Sequence, residues 1–169
     1  MTIRSIWAQA PSGAIGDDGG MLWHVPEDMA FFKRATVSLP VIMGRRTWEA
    51  FPDHLRPLPE RPNVVITRDA DYEAPGAETA ATLEQAIVRA RVYDDEVWVI
   101  GGGEIYRQAM DLADELWVTD IDLDVDGDTH APAIGEAWEQ HASWPEEDDG
   151  WLESRTGTRY RFRVYTRRG

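Results

Sequence analysis

An aspartate on an apolar helix face is the first candidate for chemistry. In MLWHVPEDMAFFKRAT (Met21 to Thr36), Asp28 stands three and four residues before Phe31 and Phe32. On a helix the three share one side. Pro26 suits a first helical turn, where its missing N–H costs nothing. Glu27 and Asp28 suit the positive end of the helix dipole. An ionised carboxylate among aromatic rings needs a partner. Two readings follow: a first-turn acid that reaches solvent past the rings, or a carboxylate that receives a cationic ligand.

Two glycine turns suggest what else is bound. In VIGGGEIY (Val99 to Tyr106) an apolar run ends in Gly101, Gly102 and Gly103 and passes into a helix. Backbone N–H groups at such a junction can face a phosphate, and glycine lets a ligand approach the backbone. The plainer reading is a tight turn, and the stretch is not the G-x-G-x-x-G fingerprint in its first-strand context. VIMGRRTWEAF (Val41 to Phe51) repeats the pattern, with Gly44 followed by Arg45 and Arg46. The planar arginine fork matches phosphate oxygens. Two such turns fit a dinucleotide; otherwise these are two solvated arginines. Arg68, after NVVIT, could add positive charge. His24, His54, His130 and His141 lack the spacing of a helical zinc site, so no metal is expected. No G-x-S-x-G elbow is present.

The elements that must position these groups alternate along the chain. IRSIWAQA, LPVIMG, NVVIT, EVWVI and ELWVTDIDL read as strands, and Pro26–Thr36, RRTWEAF, TLEQAIVRAR and EIYRQAMDL as helices. Thr82 suits a helix cap. PDHLRPLPERP must be a loop. The expected fold is therefore α/β, a central, mostly parallel twisted sheet with helices on both faces. RYRFRVYT alternates wet and apolar positions and suits an antiparallel C-terminal edge. Ligands of such sheets bind beyond the carboxyl ends of the strands, where the glycine turns lie.

Composition bounds the rest. The chain has 169 residues, 43% of them hydrophobic, and reads as one domain over residues 1–169. It contains no cysteine, which excludes disulfide and thiolate chemistry. No apolar run approaches the length of a bilayer span, and the N-terminus lacks a signal-peptide pattern. A cytoplasmic protein is expected. The net charge of −14 argues against nucleic acid or anionic membrane as partner. Lys33 is the only lysine among 17 basic residues, which fits either arginine-biased coding or a salt-tolerant surface. No apolar surface stripe is evident, so a monomer is expected.

These pieces together closely resemble bacterial dihydrofolate reductases over nearly the whole chain. IWAQAPSGAIG, WHVPED, FFKRAT, PVIMGRRTWEAF, VWVIGGGEIY and VTDIDLDVDGDTHAP occur in order, and RPLPERPNVVIT fits actinobacterial members. The resemblance implies an NADPH-dependent reduction of 7,8-dihydrofolate to tetrahydrofolate, a step of one-carbon metabolism and an antifolate target. It implies that Asp28 grips the pterin 2-amino group and N3. Thr119 joins the same hydrogen-bond network, Trp23 holds an ordered water, and a water entering near Met21 protonates N5. Ile6, Ala8, Met29, Phe32, Phe51, Leu58, Ile100 and Tyr106 would line the substrate pocket, and Arg61 would pair with the substrate's α-carboxylate. Ala8, Ile100 and Tyr106 would also touch the cofactor. Gly44, Arg45, Arg46, Thr47, Thr67 and Arg68 would hold its adenosine and phosphate end. Gly101, Gly102, Gly103, Glu104, Ile105 and Thr129 would flank it, with a cis peptide between the first two glycines. Ile15 and Gly16 belong to a loop, Pro11 to Leu22, expected to close over the nicotinamide, with Gly13, Gly16, Gly19 and Gly20 giving it freedom.

Three departures stand out. Leu22 replaces a proline of many relatives, Glu104 occupies a position where some carry arginine, and PDHLRP lengthens the segment before Arg61. Glu104 weakens the expected preference for NADPH over NADH. Two alternatives remain: a riboflavin-pathway pyrimidine reductase of the same superfamily, and a non-catalytic folate- or NADPH-binding protein.

Overall fold

The computed structural model describes residues 1–16 and 20–169; Gly19 of the expected lid lies outside them. In chain order the elements are β1 (Thr2–Gln9), β2 (Ala14–Gly16), α1 (Pro26–Thr36), β3 (Val41–Gly44), α2 (Arg45–Ala50), a 3-10 turn (Asp53–Leu55), β4 (Asn63–Ile66), β5 (Glu78–Ala80), α3 (Leu83–Ala90), β6 (Glu96–Val99), α4 (Gly103–Ala109), β7 (Glu115–Asp122), β8 (Thr129–His130), β9 (Trp138–Trp144), β10 (Leu152–Glu153) and β11 (Arg159–Arg167).

The main sheet runs β10-β11-β7-β1-β6-β3-β4-β5, with β9 also paired to β11. The pairs from β7 through β5 are parallel. β3, β4 and β6 are apolar on consecutive residues because both faces are covered. Ile42, Val64, Val97 and Val99 face one core with Leu83 and Ile87 of α3 and Ile105 and Ala109 of α4. Val41, Met43, Val65 and Trp98 face the other with Trp48 of α2 and Phe31 and Phe32 of α1. The expected α3 cap is present: Thr82 Oγ1 accepts from Gln85 N at 3.1 Å.

β11 is antiparallel to β7, as its alternation suggested, but it is not the outermost strand. β9 and β10 line its other side. β9 reads WEQHASW, polar in the middle and mostly exposed, so no apolar period marks it in the sequence. A second, two-stranded sheet pairs β2 with β8, tying the root of the expected lid to the loop after β7.

Candidate functional site

α1 begins at Pro26 and has no side-chain cap of its own; Val25 precedes it. Its start is held from a distance instead. Glu27 accepts from Ser154 Oγ at 2.7 and 2.9 Å and from Arg155 N at 3.0 Å. Thr156 Oγ1 donates to His24 O at 2.6 Å. The turn before β11 thus pins the first turn of α1, a clamp the sequence reading of Glu27 as a dipole acid missed. Its partner lies 127 positions away, and no local pattern signals it.

The clamp fixes Asp28 against β7. Thr119 Oγ1 donates to Asp28 Oδ1 at 2.6 Å. Thr119 is buried and sits beside Ala8 of β1 in the ladder. Asp28 as a residue keeps partial exposure, yet its carboxyl is enclosed by protein. That burial pushes its pKa up to about 6, against the opposing effect of the Thr119 hydrogen bond. The enclosed carboxyl and its Thr119 hydrogen bond favour the reading of Asp28 as a carboxylate that receives a ligand. Phe31 goes elsewhere: it stacks on Phe162 at 4.1 Å and on Trp117 at 5.9 Å. Phe32 remains half-buried on the Asp28 helix.

Other expected residues gather in the same region. Tyr106 Oη donates to Ile6 O at 2.6 Å, and its ring tilts against Trp7 at 5.1 Å. Burial, followed by the charge of Asp28, drives the Tyr106 phenol far above its usual range, so it stays a neutral donor. Ile6, Leu58 and Ile100 are buried in one cluster, with Phe32 and Phe51 packed on it. Trp23 is buried beside Ala8, and its Nε1 has no protein acceptor among the described residues. Met21 and Met29 are the outliers, 59% and 51% exposed. Buried Asn63 fixes the proline-rich loop, accepting from Leu58 N at 2.9 Å and donating to Leu58 O and Arg61 O. Arg61 in turn donates from Nη1 to Thr36 Oγ1 at 3.0 Å. Burial lowers its pKa, and among the described residues it forms no ion pair.

The two glycine turns touch. Gly44 N donates to Gly101 O at 2.8 Å. The Gly101–Gly102 peptide is cis, as expected, and Gly101 has a φ of 126°, a conformation that favours glycine. A Cβ on Gly101 would stand 3.2 Å from Tyr106 Oη, and one on Gly44 3.2 Å from Ile105 Cγ1. Thr47 Oγ1 would lie 3.4 Å from a Cβ on Gly101 or Gly102. On the far side, Thr129 of β8 pairs with Gly16 of β2, while Ile15 packs on the core. Thr129 Cγ2 would be 3.1 Å from a Cβ on Gly103. Gly16, Gly103 and Thr129 are thus brought together, and Ile15 and Ile105 share one core cluster.

The arginines divide by partner. Arg45 is engaged: Nε donates to Glu49 at 2.8 Å, Nη1 lies 3.7 Å from Asp69, and the guanidinium covers Tyr72 at 4.0 Å. Arg46 and Arg68 are exposed and form no hydrogen bond or ion pair among the described residues. Thr67 Oγ1 accepts from Asp69 N at 3.2 Å, which shapes the Arg68 turn. α2 and α4 have only 6 and 7 residues, so positive charge for an anion here comes from arginine side chains more than from helix dipoles. Among the described residues no group of acidic and histidine side chains could hold a metal ion, and no helix is long and apolar enough to cross a membrane.

Comparison with known proteins bears on this geometry. A family profile described as dihydrofolate reductase matches residues 2–167. The chain is 45% identical to a dihydrofolate reductase of Mycobacterium leprae over 165 residues, 96% of each chain. It is 47% identical to one of Neisseria meningitidis serogroup B over 167 residues, 99% of each. A solved dihydrofolate reductase from Enterococcus faecalis, complexed with NADP(H) and RAB-propyl, superposes with a TM-score of 0.87 at 29% identity, covering 99% of this chain and 97% of that one.

Proposed function

The chain belongs to the dihydrofolate reductase family, and we propose that it reduces 7,8-dihydrofolate to tetrahydrofolate with NADPH, in one-carbon metabolism within the cytoplasm and as a monomer. The observation that carries this reading is the enclosed Asp28 carboxylate, hydrogen-bonded to Thr119 and raised to a pKa of about 6. A flat heterocycle with an amidine-like edge satisfies such a group with two parallel hydrogen bonds. Desolvation strengthens that interaction.

The residues fit the cofactor the family uses. Arg46 and Arg68, with no hydrogen bond or close ion pair among the described residues, follow β3 and β4 beside two touching glycine turns, and arginine forks match phosphate oxygens. Arg45, tied to Glu49 and Tyr72, braces that end, with Gly44, Thr47 and Thr67 beside it. Gly101, Gly102, Gly103, Ile105 and Thr129 form the adjoining wall. NADPH, when bound, supplies the hydride.

The chain's own groups do the rest. Asp28 orients the pterin by its 2-amino and N3 edge, with Thr119 steering the carboxylate. Ile6, Ala8, Phe32 and Ile100 exclude water from its faces, and Tyr106 braces the β1 backbone through Ile6 O. Trp23 offers its Nε1–H, without an acceptor among the described residues, to an ordered water. N5 lies at another edge of the pterin from the one Asp28 grips, so water entering beside exposed Met21 delivers that proton while Asp28 raises the ring's basicity. Leu58, Phe51 and Met29 flank the remainder of the substrate, and Arg61, half-buried and without an ion pair among the described residues, takes the α-carboxylate. Diaminopyrimidine antifolates present the same donor edge and, on this reading, would bind the same aspartate.

A pyrimidine reductase of the riboflavin pathway is not favoured, because the full-length relatives at 45–47% identity carry the dihydrofolate reductase name. Mixing the protein with NADPH and dihydrofolate and following NADPH absorbance tests the reading. Equimolar consumption of both is expected; binding of both without NADPH oxidation contradicts it and favours the non-catalytic alternative.

A further inference from the structure

Glu104 places a negative charge beside the turn that the proposed function gives to an anionic cofactor; Arg107 pairs with it directly, and the charge of Arg68 acts on it from farther away. Glu104 Oε2 accepts from Arg107 Nη2 at 2.9 Å and from Nε at 3.3 Å, while Oε1 accepts from Gln108 Nε2 at 3.3 Å. This grip uses one side of the guanidinium fork. Nη1, on the other side, makes no hydrogen bond among the described residues. It lies over Gly103: a Cβ placed there would stand 3.5 Å from Arg107 Nη1. Gly103 and Arg107 are four residues apart and share a helix face. Thr129 Cγ2 and His130 O bound the same spot, at 3.1 and 3.2 Å from that Cβ position. The guanidinium thus lies close to Gly103, while its side chain stays 54% exposed.

We infer that Arg107 is a further cofactor-binding residue, donating from the Nη1 that its Glu104 ion pair leaves free to a phosphate oxygen of the dinucleotide, with Glu104 as the residue that positions it. The inference rests on the proposed function and assigns Glu104 a supporting role in place of simple repulsion.

The test is the dissociation constant of NADPH, read by quenching of protein fluorescence without substrate, beside that of dihydrofolate. Arg107→Gln should weaken NADPH about tenfold, the scale of one charge-assisted hydrogen bond, and leave dihydrofolate affinity within about twofold. Arg107→Lys should recover part of the loss. Glu104→Gln should tighten NADPH when Arg107 is replaced by Gln, and not when Arg107 is present, because loss of orientation then offsets loss of repulsion. Tightening in both backgrounds overturns the positioning role of Glu104. Equal NADPH affinity of wild type and Arg107→Gln overturns the inference while leaving the proposed function standing. Failure of the wild type to bind NADPH overturns both.

Discussion

At the scale of single residues, the cost of holding Asp28 is as informative as its partners. A carboxyl whose pKa rises from 3.8 to about 6 on folding binds protons more tightly folded than unfolded. Its burial therefore weakens the fold as pH rises from about 4 to about 6, and the full penalty persists above that. A shift of this size corresponds to at most about 3 kcal/mol. Asp28→Asn has no charge to bury and can still accept from Thr119. The variant should melt above the wild type at pH 7.5, by about 1–3 kcal/mol of stability, with the gap closing toward pH 4. Thermal denaturation across that range checks it; a gap independent of pH would contradict the assigned burial. Binding sites of this kind trade stability for function.

At the scale of elements, the site depends on contacts between segments far apart in sequence. Gly127, in the loop between β7 and β8, is the tightest: a Cβ there would stand 2.3 Å from Gly16 O and 3.1 Å from Leu22 Cδ1. A backbone oxygen cannot turn aside as a side chain can, so Gly127→Ala must push the β7–β8 loop away from β2. A loss of about 1–3 kcal/mol is expected, together with a slower turnover, since Gly16 and Thr129 are proposed to flank the cofactor. Unchanged denaturant midpoint and turnover would show that the loop yields freely. This contact also marks what the sequence could convey. α1, the buried parallel strands and the Thr82 cap follow from local period and end residues, and Asp28 is conspicuous because an acid on an aromatic face is locally inconsistent. β9, the β2–β8 pairing and the Glu27–Ser154 clamp depend on where distant segments meet. The placement of Arg45 against Glu49 and Tyr72, with Arg46 and Arg68 making no hydrogen bond or close ion pair among the described residues, likewise requires side-chain directions that spacing alone does not fix.

At the scale of the whole molecule, a chain of net charge −14 binds two anions. On the proposed assignments, Arg46, Arg61, Arg68 and Arg107 supply the local positive charge inside a negative envelope. Salt screens the long-range repulsion over a Debye length of about 8 Å near physiological ionic strength, and reaches the enclosed contacts less. The KM for NADPH should stay level or fall as salt is first added, and a steep monotonic rise would contradict the picture. The envelope sets the approach, but in the proposed reading the reaction depends on one anchored carboxylate. Its most direct test is the single-turnover rate of NADPH oxidation at pH 7 with saturating dihydrofolate, comparing wild type with Asp28→Asn. The expected result is a loss of at least about a hundredfold, the scale of removing one preorganised electrostatic group, in a protein that still folds and binds NADPH. A folded Asp28→Asn enzyme that transfers hydride at nearly the wild-type rate would contradict the role of Asp28 and the assignment of the pterin to its carboxylate.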